Sequence, residues 1–152
     1  MIDDCYFATK RFDVVDGVRY HVITAAAMLG VSHQVPTLDY SVLLNLTGWL
    51  TQNPKEVEQM FRRMVFNVLA KNRDDHAKNF SLIYTESGWH LTPAYDLTYS
   101  PAGYNGEHAT TVNGSGLPTE VDMVAVGVGI RMSERCCCEI IEECKFYVKE
   151  LY

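Results

Sequence analysis

The chain has 152 residues, 47% of them hydrophobic and 21% charged, with a formal net charge of −6. Those proportions exclude a disordered polypeptide and support the core of one domain, or of one large lobe of a bigger protein. The acidic balance argues against nonspecific nucleic-acid binding driven by overall charge.

Met1-Ile2-Asp3-Asp4-Cys5 is acidic and lacks the basic-then-apolar pattern of a secretion signal. No apolar run approaches the roughly 18 residues of a membrane span. A cytoplasmic protein without membrane attachment is expected. Tyr6 to Phe12 is rich in aromatic residues and reads as a strand. Asp16-Gly17 signals a turn, and Val18 to Val22 reads as the returning strand. Thr24 to Leu29 predicts a short helix stopped by Gly30. Tyr40 to Leu50 predicts a second helix, apolar on most sides.

The third helix is the best marked. Asn53 suits the N-cap, Pro54 the first helical position, and Glu56 completes a pattern like a capping box. Val57, Met60, Phe61, Met64, Val65, Val68 and Leu69 then recur at helical spacing, and the helix should end near Lys71. A polar segment, Asn72 to Asn79, follows. Phe80 to Tyr84 and Trp89 to Thr92 read as a hairpin turning at Glu86-Ser87-Gly88. Tyr99 to Pro118 is rich in Gly, Pro, Asn and Thr and reads as loop. Helices are expected again over Val121 to Val128 and Ser133 to Lys149.

The five cysteines are Cys5, Cys136, Cys137, Cys138 and Cys144. Their odd number and the absent signal point to reduced thiols. Cys136 to Cys138 lack CxxC spacing, and on a helix they point about 100° apart, so they do not converge on zinc. His21, His33, His90 and His108 are scattered, with no H-E-x-x-H pattern, and read as structural residues. His108 could help hold an active-site loop. Trp49 and Trp89 read as packing residues.

The polar segment carries the chemistry. Its composition alone would suit a solvated loop. Asp74 and Asn79, however, have the D-x-x-x-x-N spacing of a kinase catalytic loop. There the Asp accepts or orients the proton of the substrate hydroxyl. The Asn lends a neutral oxygen to Mg²⁺, which prefers hard oxygen ligands. A second carboxylate is then needed nearby. Asp96 qualifies, because the hairpin between them returns the chain toward Asn79.

Asn72-Arg73-Asp74-Asp75-His76-Ala77-Lys78-Asn79-Phe80-Ser81 closely resembles the catalytic segment of HipA-like serine/threonine kinases. Leu91-Thr92-Pro93-Ala94-Tyr95-Asp96-Leu97 resembles the metal-binding segment of that family, and Lys10-Arg11-Phe12-Asp13 its hinge strand. His21 to Gly30 resembles the helix that follows the hinge. The resemblance runs from about Phe7 to about Gly116. It implies an α+β, mainly helical fold: the large, C-terminal lobe of a protein-kinase-like enzyme with a catalytic-loop hairpin. It implies that Asp74 is the catalytic carboxylate and that Asn79 and Asp96 bind Mg²⁺. His76, Ala77, Lys78, Asn79, Tyr95 and Asp96 would line the ATP site. The backbone of Lys10, Arg11 and Phe12 would bind adenine. The implied partners are ATP, a protein Ser/Thr substrate and a DNA-binding antitoxin. Asp75 could simply cap the loop.

Phosphoryl transfer also needs a cover over the phosphates and a small-lobe lysine. The chain contains no G-x-G-x-x-G and no G-x-x-x-x-G-K-[ST]. The expectation is one C-terminal lobe over residues 1–152, weakly active or inactive without a small-lobe chain. An apolar face near Phe7 and Phe12 would then be left for a partner or a second copy. The alternative is a non-catalytic interaction or regulatory module derived from the same lobe. A metal-dependent phosphoesterase using Asp74, Asp75 and His76 lacks a second ligand cluster.

Overall fold

The computed structural model describes residues 8–32 and 38–151. The fold is α+β and predominantly helical, with α-helices carrying most of the core and small sheets alongside them. Strands β1 (Val14–Val15) and β2 (Val18–Arg19) form a minimal hairpin. Its two turn residues, Asp16 and Gly17, have φ of 51° and 80°, the pair of positive values a two-residue hairpin turn demands.

The strand expected from Tyr6 to Phe12 is corrected in part. Tyr6 and Phe7 lie outside the described residues, and Ala8 to Phe12 join no ladder. A strand exists only through its pairing. Here Arg11 folds its guanidinium back onto Asp13 instead, with Nε donating at 2.8 Å. The expected strand over Val18 to Val22 is split at Tyr20. Its second part, β3 (His21–Thr24), pairs antiparallel with β5 (Ser81–Thr85), which pairs antiparallel with β6 (Gly88–Leu91).

Helix α1 (Ala25–Leu29) begins where the Thr24 hydroxyl accepts from Ala27 N–H and stops at Gly30, whose φ is 63°. Strand β4 (Leu38–Asp39) leads directly into α2 (Tyr40–Thr51), and Asp39 caps that helix by accepting from Ser41 N–H. Strand β4 pairs in parallel with β7 (Thr110–Thr111), inside the stretch read as loop. Both strands have two residues, too short for any periodicity to show.

Helix α3 (Pro54–Leu69) starts with the expected Asn53 cap. Glu56 does not close a capping box. Its carboxylate reaches the hairpin instead, accepting from Leu91 N–H at 2.5 Å and meeting His90 Nδ1 at 2.8 Å. The face bearing Met60, Phe61, Met64 and Val65 is buried completely. Each such side chain contributes roughly 1.5–3 kcal/mol of burial energy.

Helices α4 (Glu120–Gly129) and α5 (Glu134–Leu151) pack on α3. Asp122 accepts from both the N–H and the hydroxyl of Thr119, which starts α4. The contact between α4 and its neighbours is close at Gly127. A Cβ there would lie 2.3 Å from Cys137 Sγ and 2.8 Å from a Phe61 ring carbon. The three adjacent cysteines do diverge: Cys137 is buried, Cys138 exposed and Cys136 between them. No helix among the described residues is long and apolar enough to cross a membrane.

Candidate functional site

The polar segment leaves α3 at Lys71, whose φ of 53° turns the chain out of the helix. Backbone bonds then hold it against the later loop. Ser100 N–H donates to Lys71 O at 3.1 Å, and Ala109 N–H donates to Arg73 O at 3.2 Å. A short 3₁₀ turn over Ala77–Asn79 returns the chain to β5.

Asp74 and Asp75 are neighbours with opposite fates. The Asp74 side chain is 58% exposed, with His76 Nε2 at 3.9 Å. Asp75 is fully buried. Its Oδ2 accepts from the Tyr40 hydroxyl at 2.8 Å and faces His108 Nδ1 at 2.9 Å. Its Oδ1 accepts from Ala109 and Thr110 N–H, and its carbonyl oxygen accepts from the Thr110 hydroxyl. Asp75 thus does more than cap its own loop: it joins α2, the catalytic-type segment and the stretch after β6. Two adjacent carboxylates carry no spacing signal that tells which turns inward. His108, expected as a possible brace, is one of the contacts.

Asn79 Nδ2 donates to the Asp74 carbonyl at 2.9 Å, closing the loop between the two residues of the D-x-x-x-x-N pattern. Its amide oxygen remains as an acceptor. Lys78 and Tyr95 come together, with the Tyr95 hydroxyl donating to Lys78 O at 2.6 Å. The Ser81 hydroxyl lies 2.5 Å from the same phenol oxygen. Burial, the largest influence, raises the Tyr95 pKa and keeps the phenol protonated. Phe12 stacks on Tyr95 with ring centroids 6.0 Å apart, so the hinge-like segment meets the metal-type segment. Lys10 and Arg11 are exposed, and Ala77 is packed in the core.

Asp96 follows Tyr95 directly. Its φ of 56° is in the left-handed region, which Asp tolerates better than most residues. The side chain is exposed, and no hydrogen bond or ion pair holds its carboxylate among the described residues. The segment before it is anchored by Arg63, whose Nη2 donates to the Thr92 carbonyl. Burial lowers the Arg63 pKa to about 10. Among the described residues, no three His, Cys, Asp or Glu side chains gather in metal-binding geometry. Asn79 carries an amide oxygen and Asp96 a carboxylate, each a donor of the hard type that Mg²⁺ takes.

Three comparisons bear on this site. The family model for the HipA-like C-terminal domain matches residues 2–150. The protein named "Putative kinase Y4dM" from Sinorhizobium fredii is 33% identical over 109 residues, which cover 70% of this chain and 26% of that protein. The chain thus spans about a quarter of that relative. Among solved structures, the Shewanella oneidensis MR-1 HipA, HipB and operator DNA complex matches with a TM-score of 0.77. That match has 20% identity and covers 93% of this chain and 39% of the other. It supports the fold. With the family model spanning nearly the whole sequence, the chain belongs to the family of HipA-like C-terminal domains.

Proposed function

We propose that this chain is the C-terminal catalytic lobe of an ATP- and Mg²⁺-dependent protein serine/threonine kinase. The observation that carries the reading is the closed loop from Asp74 to Asn79, joined to the Asp96 segment through Tyr95 and Lys78. Asp74 is the exposed carboxylate of the loop and would accept or orient the proton of the substrate hydroxyl. Asn79 and Asp96 would hold Mg²⁺. When bound, that ion neutralises charge on the ATP phosphates. His76, Lys78 and Tyr95 would line the nucleotide site, and the backbone from Lys10 to Phe12 would meet adenine.

Catalysis of this kind depends on fixed positions and fixed charges more than on covalent chemistry. The chain holds its loop by buried hydrogen bonds, which suits that demand. A small lobe in the same or another chain would close over the phosphates. The HipA neighbour is in a complex with HipB and operator DNA. An antitoxin of the same kind is the partner proposed here, with a cytoplasmic location.

The test pairs calorimetric Mg²⁺-ATP binding with radiolabelled phosphate transfer, for the chain alone and mixed with a small-lobe polypeptide. The chain alone should bind weakly and transfer little. In the mixture Asp74→Asn should cut transfer by about 100-fold or more, with little change in binding. Asp96→Asn should weaken metal-nucleotide binding by roughly tenfold. Absence of Mg²⁺-ATP binding in both preparations would leave the interaction-module reading in its place.

A further inference from the structure

Beneath the exposed loop runs a chain of buried hydrogen bonds whose members have no assigned contact with substrate, metal or nucleotide in the proposed chemistry. Tyr40 opens α2, and Asn67 lies in the last turn of α3. Asn67 Nδ2 donates to the Tyr40 oxygen at 2.9 Å, and the Tyr40 hydroxyl donates to Asp75 Oδ2 at 2.8 Å. On its other side, Asn67 Oδ1 accepts from Asn72 Nδ2 at 3.0 Å. The same Asn72 nitrogen faces the Asp96 carbonyl at 3.5 Å, a long contact. Tyr40, Asn67, Asn72 and Asp75 are each exposed by 2% or less.

Resting on the kinase reading above, we propose that Tyr40 and Asn67 are positioning residues. Through Asn72 and Asp75 they hold the catalytic-type loop and the Asp96 segment in one mutual geometry.

Three features carry this. Stability alone favours apolar side chains at such depth, since buried polar groups repay little even when paired. Here four polar side chains occupy it in one connected line. Second, Asn72 Oδ1 is buried with no hydrogen-bond partner. Such an orphan costs stability. What the orientation retains is the amide nitrogen, placed between Asn67 and Asp96. Third, the chain ends at both candidate functional segments: Asp75 beside Asp74, and the carbonyl of Asp96 itself. The Tyr40 ring also packs edge-on against Phe80, with centroids 5.5 Å apart. Tyr40→Phe therefore removes the hydroxyl while keeping the packing.

The test uses the full chain and three variants. Tyr40→Phe and Asn67→Leu break the line. Ile141→Val, in the buried face of α5, is a control for lost core packing. Amide hydrogen exchange is read at Ala109 and Thr110, which donate to Asp75. Calorimetry reads Mg²⁺-ATP affinity. Tyr40→Phe should speed exchange at both amides by about tenfold and weaken Mg²⁺-ATP by about the same factor. Ile141→Val should change neither selectively. Should Asn67→Leu fail to fold, Tyr40→Phe decides alone. Unchanged exchange in Tyr40→Phe would overturn the proposal. So would faster exchange with nucleotide affinity intact, since the line would then be structural only. No binding by the parent chain, alone or mixed with a small-lobe polypeptide, would overturn the kinase reading, and the positioning role with it. Exchange would then show whether the line itself exists.

Discussion

The Tyr95 hydroxyl lies 2.6 Å from the carbonyl oxygen of Lys78, which pins the residue before Asp96 to the residue before Asn79. The bond spans the whole hairpin between the two segments. With this phenol donating to Lys78, the Ser81 hydroxyl donates to the phenol oxygen in turn. Tyr95→Phe should keep the ring stack with Phe12 and lose both bonds. The expected cost is about 1 kcal/mol, or roughly 2–4 °C in Tm. Thermal unfolding followed by circular dichroism measures it. An unchanged Tm would show that the bond adds nothing net.

Gly127 of α4 lies against Phe61 of α3 and Cys137 of α5. Gly127→Ala must displace both Cys137 Sγ and the Phe61 ring. Overpacking of this kind costs about 1–3 kcal/mol. Cys137→Ala should recover part of that loss, because it removes the nearer atom. A double-mutant cycle by urea unfolding reads the coupling, and additive losses would contradict it.

Legibility differed between these places for a physical reason. The start of α3 was readable because Asn53 and Pro54 act within one turn. The partner of Glu56 was not, because His90 and Leu91 reach it only through the fold. The Thr119–Asp122 contact had a readable T-x-x-D spacing that the expected start at Val121 passed over. The family motifs singled out Asp74, Asn79 and Asp96 as candidates, and the hairpin between them was expected with nearly its observed bounds. Asp75 as the buried junction was unreadable. Its partners Tyr40 and His108 lie 35 and 33 residues away in opposite directions.

Asp39 should make stability sensitive to acid. Burial, the largest influence, would raise its pKa. Bonds from Gly114 N–H, Ser41 N–H and the Thr111 hydroxyl outweigh it and hold the carboxyl below its ordinary value. The folded-state pKa is thus lower than the unfolded one, near 3.9. The stabilisation is complete above that unfolded value. It is lost as pH falls through it toward the folded value. Melting at pH 7 and pH 3 should show a smaller drop for Asp39→Asn than for the parent. Equal drops would remove Asp39 from the acid response.

The four described cysteines should differ in reactivity. Cys138 is exposed, whereas Cys137 and Cys144 are buried. Burial raises the Cys137 pKa to about 11, so almost no thiolate is present at neutral pH. Iodoacetamide on the native protein should label Cys138 first and leave Cys137 and Cys144 unmodified until urea unfolds the chain. Peptide mass spectrometry after timed quenching reads the order. Early labelling of Cys137 would contradict the packing of α5 on α4.

The parallel pair of β4 and β7 has a consequence for the order of folding. The Thr111 hydroxyl contacts Leu38 and Asp39 across 73 and 72 residues of sequence. Closing so long a loop carries a chain-entropy cost that only other contacts made beforehand can reduce. The α2–α3 pair and the β5–β6 hairpin lie between those ends and form from local contacts. They shorten the effective loop before the strands meet. The strands, and the Asp75 contacts beside them, are therefore expected to join after the helices have paired, an order that pulsed amide exchange at Thr110 would read.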